Sequence, residues 1–292
     1  MKAARRMRVQ LGLCLVVALA LGVLAISVWS KPKVYQGKTA RQWVSLLDMH
    51  VDYRQQRDEA SWALVQMGTS ALPELERILA WRPGVRETVR NCAVRFRLAK
   101  PRPVAPLELQ SRACEAAYHL AERADVDISR LVPHLQYHFT NGTYADSNSG
   151  RALAGAGPTG ITVLTNLLVT GKRSVRDNAG AALGHVDRRP EVIDALIRSA
   201  NSDPDPTLRA NAVLYLGGSH GPAQQMVPLG LKFLKSDDGY DRWAAALLLQ
   251  DYRTIREVRT ALEAAISDPD DRVRSVIERA LNDEAVKGTI RR

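Results

Sequence analysis

A chain of 292 residues, 46% apolar and only 5% aromatic, is long enough for one large core or for a repeat array, and its three cysteines exclude a small fold built on disulfides. The formal charge of +10 invites a nucleic-acid reading, but residues 1–33 hold six Lys or Arg and no acid, leaving 35 basic and 31 acidic residues, +4, for everything beyond them. That balance provides no coherent basic stripe, so no nucleic-acid partner is expected.

At the N-terminus, residues 1–10 carry Lys2, Arg5, Arg6 and Arg8 ahead of an uncharged run over 11–29. As a helix this run reaches about 28 Å against a hydrocarbon core of about 30 Å, so it is long enough to span a bilayer as a transmembrane signal-anchor. A cleaved signal peptide is the alternative; its apolar stretch is usually shorter, and Ala25-Ile26-Ser27 is a poor cleavage site. The positive-inside bias predicts a single-pass protein of the cytoplasmic membrane with its N-terminus inside and residues 34–292 extracytoplasmic, or a secreted or periplasmic domain if the segment is removed.

Next comes a predicted N-terminal capping helix over 34–53, with Thr39 and Gln42 as a capping box and Trp43, Leu46 and Leu47 on its apolar side. Helices aligned on their last buried leucine then follow at Leu64, Leu120, Leu153, Leu183, Leu216, Leu249 and Leu281, at intervals of 56, 33, 30, 33, 33 and 32. A period this regular is the mark of a repeat architecture. Ala60, Ala63, Ala116, Ala179, Ala182, Ala212 and Ala245 recur at helical spacing, where close helix contact needs short side chains. Each first helix is expected to end at a glycine (Gly68, Gly157, Gly184, Gly217). A second helix then starts, often at an apolar-Pro pair: Leu72-Pro73, Val132-Pro133 or Val227-Pro228.

The long interval contains an insertion over 82–106. Its helix pattern puts Val85, Val89, Cys92 and Phe96 on one face and Arg82, Arg86, Arg90 and Arg97 largely on the other, before a stiff Lys100-Pro101-Arg102-Pro103 linker. These arginines are candidates for contact with anionic lipid headgroups or an acidic partner; the plainer reading is a solvated face on a helix covering the solenoid end. Between later repeats, Asp203-Pro204-Asp205, Asp237-Asp238 and Asp268-Pro269-Asp270 are capping loops, and Arg176, Arg209, Arg242 and Arg274 fall at one equivalent place just inside the following helices. A stacked Asp/Arg ladder is expected. Residues 284–292 read as a basic tail.

The phrase running from Asp203 to Leu216, repeated from Asp268 to Leu281, resembles the short HEAT-like repeats of bacteria, the type first noted in phycobilisome lyases. The segment Tyr35-Gln36-Gly37-Lys38-Thr39 to Trp43 is similar to the opening of secreted or anchored HEAT-repeat proteins. The resemblance covers roughly residues 54–283 and implies an all-α fold, an α-solenoid (superhelix) of about six to seven short helix pairs after the N-terminal transmembrane helix.

Several motifs suggest chemistry. Gly155-Ala156-Gly157-Pro158-Thr159-Gly160 matches GxGxxG, but a helix precedes it where a dinucleotide site needs a strand, so it reads as a turn. His134 and His138 have a metal-compatible i,i+4 spacing with no third ligand indicated, so no metal or other cofactor is expected. Cys92 and Cys114 fit either a disulfide or two buried positions. Asn141-Gly142-Thr143 is a sequon by pattern and a loop by composition. No nucleophile-base set can be assembled, so an enzyme is not expected. The second helices offer mixed polar residues, of which Tyr137, His134 and His138, with Arg82, Arg86 and Arg90, are the candidate partner-binding residues. The expectation is an anchored scaffold binding a protein or peptide on its concave face. The resemblance to lyase-type repeats carries the alternative, an enzyme or chaperone acting on a bound chromophore or protein.

Overall fold

A computed structural model describes residues 33–47, 54–82, 84–96, 98, 104–122, 126–141, 146–186, 189–218 and 221–290. The run over 11–29 lies outside these residues, and among the described residues no helix is long and apolar enough to cross a membrane.

The described chain opens with a hairpin that the sequence reading assigned to helix. Val34–Tyr35 (β1) pairs antiparallel with Lys38–Thr39 (β2), and Gln36 and Gly37 make the turn at φ 47° and 75°. Two successive positive φ values are what a two-residue hairpin turn demands, and a glycine at the second supplies one without strain. Helix α1, Ala40–Ser45, follows. Its capping box is complete: Gln42 N donates to the Thr39 hydroxyl and Thr39 N donates to the Gln42 side chain at 2.8 Å. Trp43 is buried, with Nε1 donating to Tyr35 O at 3.0 Å, so the hairpin and α1 fold onto each other.

Six helix pairs follow among the described residues: α2 Arg54–Met67 with α3 Leu72–Ala80, α5 Pro106–Ala121 with α6 Val132–Asn141, α7 Asp146–Gly155 with α8 Gly157–Thr170, α9 Arg173–Gly184 with α10 Pro190–Ser202, α11 Pro206–Leu216 with α12 Ala223–Phe233, and α13 Gly239–Leu249 with α14 Arg256–Ala264. Between α3 and α5 lies α4, Val85–Arg95, and α15, Asp271–Ile290, ends the array. First helix stacks on first helix. The alanines expected to permit this are all buried, and a Cβ added at Gly180 would stand 3.0 Å from the Tyr215 ring of the next first helix. One apolar cluster runs through the array, and the aligned leucines from Leu64 to Leu249 are fully buried within it. Leu281, on the last described helix, is half-buried.

The arginines Arg176, Arg209, Arg242 and Arg274 each occupy the fourth position of a first helix. Arg176 grips Asp203 with Nε and Nη2 at 2.9 and 3.1 Å, and Arg242 grips Asp268 in the same way at 2.8 and 2.9 Å. Each of the four also donates to a carbonyl of the loop before its own helix: Gly171, Asp203, Ser236 and Asp268, respectively. The uniform ladder expected from the sequence is interrupted, because position 236, equivalent to 203 and 268, is a serine whose hydroxyl donates to Asp241. Beside these rungs, Asp177 accepts from Asn211 and from the Tyr215 hydroxyl, and Tyr240 donates to Asn211, linking α9, α11 and α13.

Four further details differ from the expectation. Proline 228 does not start a helix: α12 begins at Ala223 and holds Pro228 inside, on the exposed side, where the Gln224 carbonyl that loses its partner can meet water. Gly68 and Gly157 are left-handed, at φ 53° and 70°, but Gly184 and Gly217 are not, and Gly218 takes that role at 75°. Residues 284–290 continue α15 rather than forming a tail. The apolar stripe of α4 is not covered: Val89 and Phe96 are exposed.

Leu216→Ala should leave a cavity between neighbouring repeats and cost about 2–5 kcal/mol. Leu281→Ala should cost clearly less, with its effect confined to the C-terminal helices. Amide hydrogen exchange resolved along the chain checks this, because an array need not unfold in one step.

Candidate functional site

Two regions in the N-terminal repeats combine exposed aromatic groups with charge. The first forms where α3 ends. A helix end leaves its last carbonyls without intrahelical partners, and here side chains from three places fill them. Arg82 Nη1 donates to Leu79 O and Trp81 O at 2.6 and 2.8 Å, and Gln110 of α5 donates to Ile78 O and Trp81 O at 3.1 and 2.7 Å. His138 Nε2 of α6 lies 2.9 Å from Leu79 O, so it carries the proton and donates. The Arg82 cation also suits the negative end of the helix dipole.

Arg82 also lies over Tyr137, its guanidinium carbon 3.5 Å from the centre of the ring. Tyr137 is 42% exposed and meets His138 edge-on at 5.5 Å. The fold therefore brings Arg82, Tyr137 and His138 together from separate stretches of chain. His134, one turn earlier on α6, is half-buried. Arg90 is half-buried on α4, the helix that also carries Arg86.

His138 is corrected from its assignment as a partner-binding residue: it is buried and committed to Leu79. Burial holds its pKa below the ordinary histidine value, against the opposing pull of the Leu79 carbonyl, and the Arg82 and His134 charges push the same way as burial. His138 is engaged in closing the end of α3. Among the described residues no group of three or more His, Cys, Asp or Glu is placed to hold a metal ion. Cys92 is exposed and Cys114 buried, both free thiols, so the disulfide reading does not hold. Gly157 is a left-handed turn residue between two helices, with no strand before it. Asn141 ends α6, and the next four residues lie outside those described.

The second region was not anticipated. An open cleft of about 530 Å³ spans the outer faces of α5 and α7 and the turn after α9, lined by Tyr118, Glu122, Arg151, His185 and Arg189. The Tyr118 hydroxyl donates to Glu122 at 2.5 Å, which raises the phenol pKa, and Arg151 stands 5.6 Å from the ring. A neighbouring cleft of about 390 Å³ shares Glu122 and adds Arg57, Trp62 and His119. Beneath it, Glu115 is 2% exposed. Burial pushes Glu115 up, but hydrogen bonds from His119 and Arg57 outweigh burial and hold the carboxyl below its ordinary value. The repeat alignment held a signal for these clefts. Trp62, Tyr118 and Arg151 each stand two residues before an aligned leucine, a column that faces outward and is aromatic or cationic in the N-terminal repeats.

Stacked helix pairs in register define an α-solenoid. Comparison with protein families matches HEAT repeats at residues 144–217 and 199–282, so this part of the chain is built of HEAT repeats. No curated protein matches it. Solved structures similar to the chain include an engineered protein, with 17% identity, 83% of this chain and 77% of that one covered, and a TM-score of 0.38. Another is YibA of Escherichia coli, at 16%, 87% and 98%, with a TM-score of 0.39. A third is human deoxyhypusine hydroxylase in complex with glycerol, at 16%, 83% and 96%, with a TM-score of 0.35. Likeness at this level assigns neither an activity nor a partner to this chain.

A base with a depressed folded pKa supports stability in full above its unfolded pKa, about 6.5 for histidine, and loses it as pH falls toward the folded value. Acidification below about pH 6.5 should therefore loosen the α3–α6 contact. His138→Gln should remove that pH dependence, which amide exchange at Leu79 and Leu135 can measure.

Proposed function

We propose that this protein is a scaffold that binds a protein or peptide partner while anchored to the outer side of a cytoplasmic membrane. The observation that carries the binding part is the exposed Tyr137 ring backed by Arg82. The guanidinium is held by two carbonyls before any partner arrives, so the pair is pre-ordered and loses little freedom on binding. Aromatic and arginine side chains are also the types that dominate binding energy at protein interfaces. Arg176 and Arg242, by contrast, hold carboxylates within the stack, and His138 closes a helix. Such an allocation suits a binding surface more than a reaction centre.

The membrane part is supported by the sequence alone, through the uncharged run over 11–29 and the basic residues before it. A reporter active only outside the cytoplasm should work when fused after Arg292; activity from a cytoplasmic reporter alone would overturn this part.

A photo-crosslinking residue at position 137 should capture a discrete partner from membranes, whereas the same residue at exposed Ile266 should not. Tyr137→Ala should weaken that partner's binding about tenfold or more, the loss of an interface hot spot. Equal capture at positions 137 and 266 would contradict the assignment of the binding surface.

A further inference from the structure

The α4 helix exposes the face that an ordinary amphipathic helix buries. Its register gathers Val85, Val89, Cys92 and Phe96 into one stripe. Val89 is 62% exposed, Phe96 70%, and Leu98 just beyond the helix 80%, and Cys92 is exposed as well. The half-buried residues are Glu87, Arg90, Ala93 and Val94, on the other side. The mixed side is therefore the less exposed one, and the apolar stripe faces outward. A contiguous apolar stripe facing outward marks a surface that something covers.

The charges say what covers it. Arg82, Arg86, Arg90, Arg95, Arg97, Lys100 and Arg102 occupy residues 82–102 with a single acid, Glu87. By register, Arg86 and Arg95 border the stripe on its two sides. Apolar residues bordered by arginines on a helix too short to span match an element that lies in the headgroup region of an anionic bilayer. Its place in the fold agrees: α4 joins α3 to α5, and both pack against α1, the helix nearest in sequence to the apolar run over 11–29.

We propose that α4 is a second membrane attachment, with Val89, Phe96 and Leu98 entering the boundary between headgroups and acyl chains of an anionic bilayer and Arg95 facing lipid phosphates. With the anchor, it holds the solenoid at two points, which fixes its orientation on the membrane and makes the second contact effectively intramolecular. The inference rests on the membrane reading above for the location of the chain.

Because Cys92 is exposed and Cys114 buried, a full-length Cys14→Ser chain can carry an environment-sensitive fluorophore at Cys92. The labelled chain is reconstituted into vesicles of phosphatidylcholine, with or without phosphatidylglycerol. The expected result is a blue shift and quenching by acyl-brominated lipid only when phosphatidylglycerol is present, both reversed by high salt. Arg95→Gln should weaken the contact roughly fivefold. Phe96→Asp should abolish it without changing the circular dichroism. Retention of the chain in vesicles after an alkaline wash reports residues 11–29 separately, so failure of the anchor and failure of the α4 contact are told apart. A label equally exposed in both lipid mixtures overturns the proposal. Quenching indifferent to lipid charge, or shielding that requires an added acidic protein, overturns it as well.

Discussion

A guanidinium that leaves one first helix and closes on the loop of the next repeat sets the register of the stack. Arg176 and Arg242 each do two things at once: Nη1 satisfies carbonyls of the loop behind, and Nε with Nη2 forks the aspartate of the loop ahead. The same aspartates accept from the backbone N–H of Asp205 and Asp270, so the fork also fixes the shape of the turn that starts the next helix. The hydrogen bond from Arg242, with burial opposing it, keeps the Asp268 carboxyl below its ordinary range. Paired in this way, two charges can leave water without the penalty that either alone would carry. Short side chains do the rest, since Ala179, Gly180 and Ala212 let the first helices approach closely enough for the arginine to reach.

This arrangement explains why the repeat was legible in the sequence. The capping aspartates, the arginine at the fourth position of α9, α11, α13 and α15 and the small residues all act within one repeat or between adjacent ones, so they recur at the repeat period. What escaped notice depends on contacts distant in sequence. His138 reads as a polar surface residue until α3 brings Leu79 against it, 59 residues away. Pro228 reads as a helix start because Leu72-Pro73 and Val132-Pro133 are starts; only the exposure of its side of α12 permits it inside. The inverted α4 could not be inferred, because periodicity identifies an apolar stripe and says nothing about whether protein or another medium covers it. The missing rung at Ser236, by contrast, is visible in the alignment as soon as the partner of Arg176 is known.

The regular rungs and the candidate binding surface lie in different parts of the chain. Residues 144–282, which match HEAT repeats, hold both carboxylate forks and the Asp177–Asn211–Tyr240 linkage. The repeats before them carry the insertion, the Tyr137–Arg82 pair, Trp62 and Tyr118, while the cleft beside Tyr118 also draws Arg151, His185 and Arg189 from the matched residues. A stack needs its period kept wherever rungs bear on neighbours, and an interruption of 56 residues between aligned leucines is tolerated only where other contacts close the helix ends. Arg82, Gln110 and His138 supply that closure, and in doing so they present Tyr137 at the surface.

The account stands most directly on the fork between Arg242 and Asp268, whose side chains are only 14% and 6% exposed. A double-mutant cycle of Arg242→Gln and Asp268→Asn, read by the unfolding of the C-terminal repeats, measures it. The account predicts that the double variant is less destabilised than the two single losses combined, by on the order of 1–3 kcal/mol. Additivity within about 0.5 kcal/mol would contradict it, because the two groups would then not be coupling one repeat to the next.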